Sequence, residues 1–467
     1  MSKMIHAPVQ LTVTEALNFR AVPVWVHQIA KVLRDAGHQA YLVGGAVRDL
    51  IWGLVPDDWD LATDARPEEM EGLFPETIVP GKLGRARSRG REFGTVIIRD
   101  GGYQVEVTTL RADLGYEDGR HPAAVSFGHD IAQDLARRDF TINAMAYDLT
   151  EAKLIDPFQG RRDCYRRVLK TVGDPGIRFS EDGLRVLRFY RFLATHDLRP
   201  DHRTERAVTP SFVSHLSMER VRDEFSKLLL GKRVVIGLEG LARHGLIELF
   251  LPELLPALGF ELGRRRLWRH LLSATATIAP VLELRLAALL HDIAKPRTCS
   301  VTAAGVHFYG HDEEGAHLSE IILQRLRYPK KVVDKVCALV RWHMFNLPPE
   351  AGQAALRRFS AKVGVANLPA LLELRRADIV ATDRVEYIAW QQWSALQERF
   401  QDMLNKPELT RQLAVNGHDL NRELKISPGP IMGKILKHLN ELILEHPEFN
   451  QKERLLQAAE EFLRLKE

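Results

Sequence analysis

The sequence contains few cysteines and no long apolar run. Three of its 467 residues are cysteines, Cys164, Cys299 and Cys337. They are too few for a disulfide framework and lack the spacing of a zinc site. No segment approaches the roughly 20 apolar residues of a membrane-spanning helix, and the first residues lack the charged-then-apolar pattern of a signal peptide. We therefore expect a cytoplasmic protein that does not associate with membranes.

A large excess of charge of one sign is also absent, because 65 basic residues face 61 acidic ones, for a formal net charge of +4. The basic residues nevertheless cluster at Arg85–Arg91, Arg161–Arg167 and Arg264–Arg266. Such clusters in a near-neutral chain indicate local contacts with a polyanion, although any one of them also fits a solubilising surface. The role of the first cluster stays open between binding RNA phosphates and forming an ordinary surface loop.

The chain is long enough for several domains, and its hydrophobic periodicity changes along its length. The segments "AYLVGG" and "FGTVIIRDGGYQVEVTTLR" predict strands, the second being two strands joined by the turn "RDGG". "AVRDLIWG" and "LARRDFTINAMAYD" have helical spacing. From about Ile177 onward the pattern is almost wholly helical, except for "RTCSVTAAGVHFYG". We therefore predict an α+β fold, with an α/β head followed by a long helical part.

Two glycines, Gly44 and Gly45, lie between the first predicted strand and the helix that follows it. Because they have no side chains, a phosphate can approach the backbone there, and the start of the helix offers free N–H groups. Arg48, one turn into the helix, can reach the same anion. Two adjacent glycines alone more often form just a tight turn, so this site depends on the residues that follow.

Two carboxylates, Asp58 and Asp60, come next in "DDWDLAT". Residues two apart on a strand point to the same face of a sheet, so both would face one cation. Mg²⁺ prefers such oxygen ligands, and metal-assisted phosphoryl-type transfer requires little else from the protein. Glu106 is a candidate third carboxylate on a neighbouring strand, although a solvated strand residue fits nearly as well. A polar turn is the alternative for the aspartates, and their combination with the glycines favours catalysis.

The segment "EDGLRVLRFYRF" carries a carboxylate and three arginines at every third position. On one continuous helix, Asp182, Arg185, Arg188 and Arg191 would lie on neighbouring faces through three turns. Acidic residues also suit the positive start of a helix, with Ser180 as a candidate N-cap. That alternative explains the acids but leaves the arginines unexplained.

Several motifs follow one another in order: "LVGGAVRDLIWG", "DDWDLATDARPEEM", "DLARRDFTINAMAYD", "DPFQGRRD", "FSEDGLRVLRFYRF" and "ERVRDEFSKLL". Together, from about Ala40 to Leu230, they resemble the class II tRNA nucleotidyltransferase and bacterial poly(A) polymerase family. The resemblance implies a polymerase-β-like nucleotidyltransferase head, residues 1–148, and a helical neck, 149–232. A helical body, 233–404, and a helical tail, 405–467, would follow. The implied partners are tRNA, ATP and CTP, the implied cofactor is Mg²⁺, and no obligate protein partner is implied.

The resemblance also assigns roles to residues. Asp58 and Asp60 would hold Mg²⁺, and Glu106 remains the third catalytic candidate. The predicted nucleotide-binding residues are Gly44, Gly45, Arg48, Asp49, Arg137, Arg138, Asp139, Asn143, Glu181, Asp182, Arg185, Arg188 and Arg191. Of these, Arg137, Asp139 and Asn143 are expected to support the pocket, and Glu181 is equally well explained as a capping residue.

Asp182 and Arg185 offer a way to distinguish the bases. Cytosine and adenine present an amino donor beside a ring-nitrogen acceptor, whereas uracil and guanine present a carbonyl acceptor beside an N–H donor. A carboxylate next to a guanidinium matches the first arrangement and mismatches the second, at a cost of about 1–3 kcal/mol per partly buried group. The pair therefore predicts a protein template that selects C and A. Arg188 and Arg191 would contact the triphosphate or hold the carboxylate in place.

Two further segments bear on the product. "RADLGYEDGRHPAAVSFG", with Arg111, Asp113 and Arg120, resembles the flexible loop that the family needs for the terminal A and that CC-adding members lack. "NGHDLNRELKISPGPIMGKILKHL" resembles the tail of CCA-adding members. We therefore predict addition of CCA to tRNA 3′ ends with release of pyrophosphate. Addition of A alone, and after it poly(A) synthesis, are the alternatives.

A second set of metal-ligand residue types lies in the predicted body: His270, His291, Asp292, His311, His343 and Asp378. A His-Asp doublet flanked by further histidines and a distant aspartate resembles the HD phosphohydrolase fold. Imidazoles and carboxylates suit a second divalent metal, which could generate a hydroxide for phosphoester hydrolysis. Since family members also keep this fold without its chemistry, a side activity and a purely structural cluster both stay open. A phosphohydrolase or a pure binding protein would incorporate no nucleotide, and the Asp58 and Asp60 pair favours the transferase over both.

Overall fold

The computed structural model describes residues 12–74, 77–78, 94–100, 103–116, 122–262, 265–303, 305–345, 347–348, 350–382, 387–405 and 413–464. The basic cluster Arg85–Arg91 and the predicted loop residue Arg120 lie outside these ranges. The chain forms two compact units, residues 1–250 and 251–467. The finer division into head, neck, body and tail stays a prediction.

The first unit is built on a sheet of seven strands. The strands of this part of the chain are β1 (Ala40–Val43), β2 (Asp60–Thr63), β3 (Thr77–Ile78), β4 (Thr95–Asp100), β5 (Tyr103–Thr109), β6 (Arg111–Tyr116), β7 (Pro122–Phe127), β8 (Ala146–Asp148), β9 (Lys153–Ile155), β10 (Val168–Leu169) and β11 (Arg199–Pro200). The sheet has the order β3-β4-β5-β2-β1-β8-β9. Within it, β2 and β5 are parallel and the other neighbours are antiparallel. The strands β6 and β7 form a separate antiparallel hairpin, and β10 pairs in parallel with β11.

Helices make up much of the rest of the unit. They are α1 (Val13–Phe19), α2 (Val24–Asp35), α3 (Gly45–Ile51), α4 (Pro67–Leu73), α5 (Ile131–Ala136), α6 (Gly160–Arg166), α7 (Pro175–Glu181), α8 (Leu184–Thr195), α9 (His202–Arg206), α10 (Met218–Leu229), α11 (Val234–Arg243) and α12 (Ile247–Phe250), with 3₁₀ turns at Thr141–Asn143 and Pro210–Phe212. The predicted strands in "AYLVGG" and around "RDGG" are confirmed. The helix predicted through "LARRDFTINAMAYD" is wrong beyond Ala136, because Ala146–Asp148 pair with β1 and β9 as the buried strand β8 of the sheet.

The core of the sheet positions the glycine turn and the start of β2. Val43, Ala62, Leu135, Ala144 and Ala146, from β1, β2, α5 and the approach to β8, are each no more than 2% exposed and pack together. Because residues two apart on a strand point to the same face, Asp60 lies on the face of Ala62, and as the first residue of β2 it stands at the rim of this core. The turn from β1 into α3 lies at the same end, since Val43 pairs with Asp60.

The continuous helix predicted through the segment "EDGLRVLRFYRF" is wrong at one point. Helix α7 ends at Glu181 and α8 begins at Leu184, with the Asp182 backbone extended at φ −149° and ψ 106°. The Asp182 carboxylate accepts a hydrogen bond of 3.1 Å from the Leu184 N–H, which stabilises the start of α8. A Cβ atom at Gly183 would overlap the carbonyl oxygen of Phe212, so glycine lets the break pack tightly. The three arginines of the pattern stay together on α8.

The second unit is almost wholly helical, as predicted. Its helices are α13 (Leu255–Gly259), α14 (Leu267–Thr277), α15 (Leu282–Leu290), α16 (Lys295–Thr298), α17 (His311–Arg325), α18 (Lys330–Trp342), α19 (Gln353–Val363), α20 (Leu368–Ala381), α21 (Tyr387–Leu404), α22 (Gly417–Leu424), α23 (Pro430–Glu445) and α24 (Lys452–Arg464). Two short hairpins interrupt them, β12 (Glu261–Leu262) with β13 (Arg265–Arg266), and β14 (Ser300–Thr302) with β15 (Gly305–His307). The helix α15 is buried along its length among α14, α18 and α20. In the part of the chain that the structure describes, no helix is long and apolar enough to cross a membrane.

Candidate active site

A cavity of about 710 Å³ opens in the first unit. It brings together residues from β1, β2, β5, α3, α8 and α10 that are up to 177 positions apart in the chain, from Val43 to Arg220. Of the predicted site residues, it is lined by Gly44, Gly45, Arg48, Asp58, Asp60, Glu106, Arg111, Arg137, Arg138, Asp139, Asn143, Asp182, Arg185, Arg188 and Arg191. The predicted carboxylates and the predicted arginines of α8 therefore line the same cavity.

Three carboxylates, Asp58, Asp60 and Glu106, line this cavity. Asp60 pairs directly with Glu106, because β2 and β5 run parallel in that register. Asp58 precedes the strand and does not belong to it, so the expected strand geometry holds for Asp60 alone, but both side chains line the cavity. Burial, opposed by Arg138 and aided by Asp58, raises the pKa of Asp60. Partial burial and the charges of Asp60 and Asp58 raise the pKa of Glu106, whose side chain remains accessible within the concave wall.

Burial is the main reason for the raised pKa values of Asp60 and Glu106, and neighbouring negative charge adds to it. Asp58, Asp60 and Glu106 repel one another, and the guanidinium of Arg138 compensates Asp60 in part. A divalent cation among their oxygens would relieve this repulsion, and oxygen donors of this kind are what such a cation prefers. The residues present therefore fit a divalent metal.

Gly44 keeps the turn between β1 and α3 close to both kinds of charge. Its φ is +72°, a conformation that L side chains rarely adopt. A Cβ atom there would come within 2.9 Å of a guanidinium nitrogen of Arg138 and 3.8 Å of Oδ2 of Asp60. Glycine at this position thus lets Arg138 lie directly over the backbone at the start of α3.

A chain of charged hydrogen bonds crosses the cavity wall from α3 to α8. Arg48 Nη1 donates to Oδ1 of Asn143 at 2.8 Å, and Asn143 Nδ2 donates to Oδ1 of Asp139 at 3.1 Å. Arg188 then donates to the other Asp139 oxygen from Nε at 2.8 Å and from Nη2 at 2.5 Å. Although burial opposes it, the charge of Arg188 and the bond from Asn143 lower the pKa of Asp139 to about 2. Asp139 is therefore a permanent anion that fixes two cavity residues.

The neighbouring arginines are held by a residue that the sequence analysis did not select. Asp134, 1% exposed, accepts from Arg137 at 2.9 and 2.6 Å and from Arg138 at 3.3 Å. Although burial opposes it, the charges of Arg137 and Arg138 lower the pKa of Asp134. One carboxylate facing two guanidinium groups leaves a net positive charge at this edge of the cavity, where an anionic ligand is stabilised.

The predicted base-reading pair is positioned by partners outside the pair. Asp182 binds Arg220 Nη2 through both carboxylate oxygens, at 3.1 and 3.0 Å. Arg185 donates to Glu181 at 2.5 Å, to the Arg178 carbonyl at 2.9 Å and to the Arg137 carbonyl at 3.0 Å. Both side chains are thus held in one orientation while still lining the cavity.

Three arginines of the cavity lie close to one aromatic ring. Phe192 has the guanidinium carbons of Arg191, Arg48 and Arg188 at 4.1, 5.5 and 5.8 Å from its ring centre. Such contacts hold cations near one another at modest electrostatic cost. His196 lies against the same ring at 5.2 Å. Burial, with Arg48 and Arg191 nearby, lowers its pKa to about 3, so it is neutral at physiological pH.

Four predicted residues are not among the cavity lining in the described part of the chain. Asp49 accepts a hydrogen bond of 2.9 Å from Arg48 Nε, and Glu181 accepts one from Arg185. Each of these acids therefore orients an arginine of the lining without belonging to it. The Asp113 side chain and Arg120 lie outside what the structure describes. Sequence reasoning missed Arg220, although it stands in the motif "ERVRDEFSKLL", and missed Asp134, whose signal was its place one turn before two adjacent arginines.

The six predicted metal-ligand residues of the second unit also come together. Their side chains form two groups that share Asp292, one with His270, His291 and Asp378 and the other with His311 and His343. In the first group, His270 Nε2 lies 3.1 Å from His291 Nε2 and 3.2 Å from Oδ1 of Asp378. In the second, Oδ1 of Asp292 lies 3.4 and 3.3 Å from Nε2 of His311 and His343. We call these six residues the His-Asp cluster.

The histidine tautomers suit a metal at the His-Asp cluster. In three histidines, His291, His311 and His343, Nδ1 lies within 2.9, 2.7 and 2.6 Å of a main-chain carbonyl of its own helix or the preceding turn. Because a carbonyl can only accept, each Nδ1 carries a proton. In a neutral ring, Nε2 of His311 and of His343 then turns a lone pair toward the cluster, whereas His291 offers one only after its Nε2 proton is lost. The buried Oδ1 of Asp292 has no hydrogen-bond donor among the described residues. Acceptors facing acceptors are the arrangement that a cation resolves, so the donor set fits a metal.

The protonation of the cluster supports the same conclusion. Burial disfavours the imidazolium of His291, but Asp292 and Asp378 outweigh it and raise its pKa to about 10. Although burial opposes it, the charge of His291 holds the pKa of Asp292 well below its usual range, and Lys295 Nζ donates to Oδ2 at 2.5 Å. The positive charges of His291 and Lys295 thus compensate Asp292 and Asp378 at a place where a divalent cation could do the same.

Three family profiles match the chain. A profile described as "Poly A polymerase head domain" matches residues 40–170, and one described as "Probable RNA and SrmB- binding site of polymerase A" matches residues 206–258. A third, "tRNA nucleotidyltransferase domain 2 putative", matches residues 309–459. The similarity therefore extends beyond the segment from Ala40 to Leu230 that carries the motifs.

Relatives match over nearly the whole chain. The CCA-adding enzyme of Bacillus licheniformis is 34% identical over 451 residues, which are 96% of this chain and 98% of that protein. The CCA-adding enzyme of Limosilactobacillus reuteri is 30% identical over 437 residues, covering 93% and 95% of the two chains. Among solved structures, the Bacillus stearothermophilus CCA-adding enzyme in complex with CTP is 30% identical, with a TM-score of 0.70 and coverage of 94% of this chain and 97% of that one. The predicted α+β fold with a polymerase-β-like head is confirmed by this match.

Proposed function

This chain belongs to the family of CCA-adding enzymes, and on that premise we propose that it completes tRNA 3′ ends by adding C, C and A from CTP and ATP. The observation that carries the proposal is the division of charge in one cavity. Asp60 and Glu106 stand side by side, and the α8 arginines Arg185, Arg188 and Arg191 line the same cavity. That arrangement suits a nucleoside triphosphate, whose reacting phosphate must meet both a hydroxyl and a stabilised leaving group.

In the proposed reaction the tRNA 3′ oxygen attacks the α-phosphate of the nucleotide. A bond forms between that oxygen and the α-phosphorus, the bond to the β-phosphate oxygen breaks, and pyrophosphate leaves. Asp58 and Asp60, with Glu106, would hold Mg²⁺, which supplies neutralisation of the triphosphate charge and activation of the attacking hydroxyl. Arg48, Arg138 and the N–H groups at the start of α3 would bind the triphosphate.

The geometry around Asp182 and Arg185 supports the proposed reading of the base. The described contacts of Arg185 use three of its five N–H donors, so two remain for a ring nitrogen. Asp182 keeps acceptor sites for an amino group, while Arg220 sets the plane of its carboxylate. A carboxylate and a guanidinium that are both already oriented discriminate better than mobile ones, because a mismatched base cannot reorient them.

The three alternatives for the product differ in one assay. Purified protein is given tRNAs that end before CCA, after C and after CC, each with one labelled nucleotide at a time. We expect C on the first two ends and A on the third, with neither U nor G incorporated. Incorporation of A alone, on the CC end, would make the protein an A-adding enzyme, and long A tails on unrelated RNA would make it a poly(A) polymerase.

A second activity is favoured by the His-Asp cluster. We propose that it binds one or two divalent metals and hydrolyses a phosphate ester, with a water oxygen displacing the alcohol at phosphorus. The support is the set of Nε2 lone pairs around Asp292 and the donor-free Oδ1 of that residue. The test is metal content after dialysis against Mn²⁺, compared between the wild type and His343→Ala. Equal metal content in the two would overturn this proposal and leave the transferase untouched.

The setting in which the protein works follows from its substrates. We propose that it acts in the cytoplasm, where tRNA, ATP and CTP are present together, and without an obligate protein partner. Its activity on tRNA by the purified chain alone tests the second of these statements.

A further inference from the structure

His196, which directly follows α8, lines the nucleotide cavity but has no role in the reaction proposed above. The centre of its ring lies 5.2 Å from that of Phe192 and 5.4 Å from that of Trp52. The guanidinium carbon of Arg48 lies 5.5 and 5.4 Å from the centres of the same two rings. His196 and Arg48 therefore pack against the same pair of aromatic side chains, and both line the cavity.

The hydrogen bonds of Thr195 fix which nitrogen of the His196 ring carries the proton. The Thr195 hydroxyl lies 2.9 Å from the carbonyl oxygen of Arg191 and 2.8 Å from His196 Nδ1. A carbonyl only accepts, and a hydroxyl has one proton, so that proton is donated to the carbonyl. The Thr195 oxygen then accepts from Nδ1–H, and in the neutral ring Nε2 holds the lone pair. A ligand in the cavity thus meets His196 as an acceptor.

Positive charge keeps the imidazole neutral while the cavity is empty of anions. Three guanidinium groups act on it from three elements: Arg48 of α3, Arg167 after α6 and Arg191 of α8. Carboxylates engage two of these arginines, since Asp49 accepts from Arg48 and Glu224 lies 2.6 Å from Nε of Arg191. Burial, together with the three guanidinium charges, still lowers the pKa of His196 to about 3.

A bound triphosphate reverses this balance. Arg48 is one of the proposed triphosphate ligands, and it shares the two aromatic rings with His196, so the phosphates would bring negative charge close to the imidazole. A neighbouring anion favours the imidazolium form. Phosphate oxygens are also acceptors, and an acceptor facing the Nε2 lone pair is unfavourable until a proton lies between them.

We propose that His196 binds the terminal phosphates of the nucleotide through a proton that Nε2 takes up from solvent as the triphosphate binds. The Nε2–H group then donates to a phosphate oxygen. No bond of the nucleotide breaks in this step, and the proton returns to solvent when pyrophosphate leaves. The inference rests on the nucleotide binding proposed above and adds a phosphate-binding residue whose contribution depends on pH.

The experiment measures CTP binding to the full chain by calorimetric titration, with Mg²⁺ and without tRNA, at pH 6 and pH 8. The variants are His196→Gln and, as the matched control, His202→Gln, because His202 is exposed in the same unit and lies outside the cavity lining. The titrations of CTP and of the carboxylates are common to all three proteins. They therefore cancel when the change in affinity with pH is compared between proteins.

The sign and size of the effect follow from the protonation of His196. Since the group gains a proton on binding, its contribution is present below the pKa of the bound state and is lost as the pH rises through that value. If the phosphates restore the ordinary value near 6.5, the wild type gains about fourfold in CTP affinity from pH 8 to pH 6, relative to His196→Gln. The control His202→Gln should change with pH as the wild type does.

Two further measurements identify the group and the ligand atoms. Titrations at pH 6.5 in buffers of different ionisation enthalpy should show about half a proton more taken up per CTP by the wild type than by His196→Gln. Pyrophosphate should show the same difference between the two proteins, and CMP should show none. In ¹⁵N NMR spectra of the wild type at pH 6, added CTP should convert the His196 ring from the neutral Nδ1–H form to imidazolium.

Three results would overturn the inference: the same pH dependence in the wild type and His196→Gln, the same difference with CMP as with CTP, or a His196 ring that stays neutral with CTP bound. The NMR result needs no variant, so it decides the question even where His196→Gln does not fold. A wild type that binds no CTP at either pH would instead refute the proposed function, and the inference would fail with it.

Discussion

The contact between Arg220 and Asp182 predicts a loss of nucleotide selectivity when the arginine is replaced. In Arg220→Met the carboxylate loses a partner that contacts both its oxygens, at 3.1 and 3.0 Å, in a pair whose side chains are 21% and 19% exposed. A hydrogen bond to a charged group contributes about 1.5–3 kcal/mol, which corresponds to about 10- to 100-fold. The Leu184 N–H still holds one oxygen of Asp182, so we expect the lower end, about tenfold.

The assay is the ratio of kcat/KM for CTP over UTP on a tRNA that ends before CCA, and for ATP over GTP on the CC end. Lys227→Met is the control, because Lys227 is exposed on the same helix and lies outside the cavity lining. In an Asp182→Asn background the Arg220 substitution should change the ratio little, since the two residues act as one unit. An equal fall in kcat/KM for correct and incorrect nucleotides would refute the reasoning, because it would show a structural role without any part in selection.

Three other predictions concern the carboxylates and the glycine turn. Asp60→Ala should abolish incorporation while tRNA binding, measured by filter retention, is kept; unchanged incorporation by a pure preparation would contradict the metal assignment. Gly44→Ala should lower the free energy of unfolding by about 1–3 kcal/mol, because φ is +72° and the new Cβ meets Arg138. The control Gly72→Ala, in open space within a helix, should not destabilise the protein in urea titrations. Because the pKa of Asp139 is lowered to about 2, its stabilisation is complete above its ordinary value near 3.8 and is lost as the pH falls toward 2. The wild type should therefore lose about 2 kcal/mol of unfolding free energy over that range, a loss absent from Asp139→Asn if the assignment is right.

The carboxylate end of the site was predictable because its signals are local. A glycine turn after a strand, followed by two aspartates, defines its own geometry within a few residues. Glu106 required one further step, the pairing of β5 with β2, and the register of the ladder places it directly beside Asp60. What the sequence could not show is that Asp58 lies before the strand, because strand boundaries depend on which partner strand is present.

The part of the cavity around Asp182, for which we propose base reading, was harder to predict because its geometry depends on distant residues. The spacing of Asp182 and the α8 arginines predicted one helix, but Gly183 packs against Phe212, and this contact breaks the helix. Arg220 stands 38 positions from Asp182, and nothing in its own neighbourhood indicates which acid it binds. Local periodicity therefore identified residues that do line the cavity, but it wrongly predicted a helical backbone at Asp182, which is extended.

The His-Asp cluster shows the same limit in another form. We predicted from their metal-ligand residue types that the six side chains share one site, and the structure brings all six together. Which nitrogen of each ring carries the proton follows from main-chain carbonyls, such as that of Phe308 for His311, whose positions no residue type encodes. The chemistry of the cluster thus depends on the backbone as much as on its side chains.

The tight packing of Gly183 against Phe212 has a consequence for engineering. Suppose that Glu181–Phe192 alone were grafted into another transferase to transfer the proposed nucleotide selectivity. The graft would carry Asp182 and Arg185 but would lack Phe212, against which Gly183 packs where the helix is broken. We expect the graft to transfer selectivity only when Pro210–Phe212 and Arg220 are included, because Phe212 packs against Gly183 and Arg220 orients the Asp182 carboxylate.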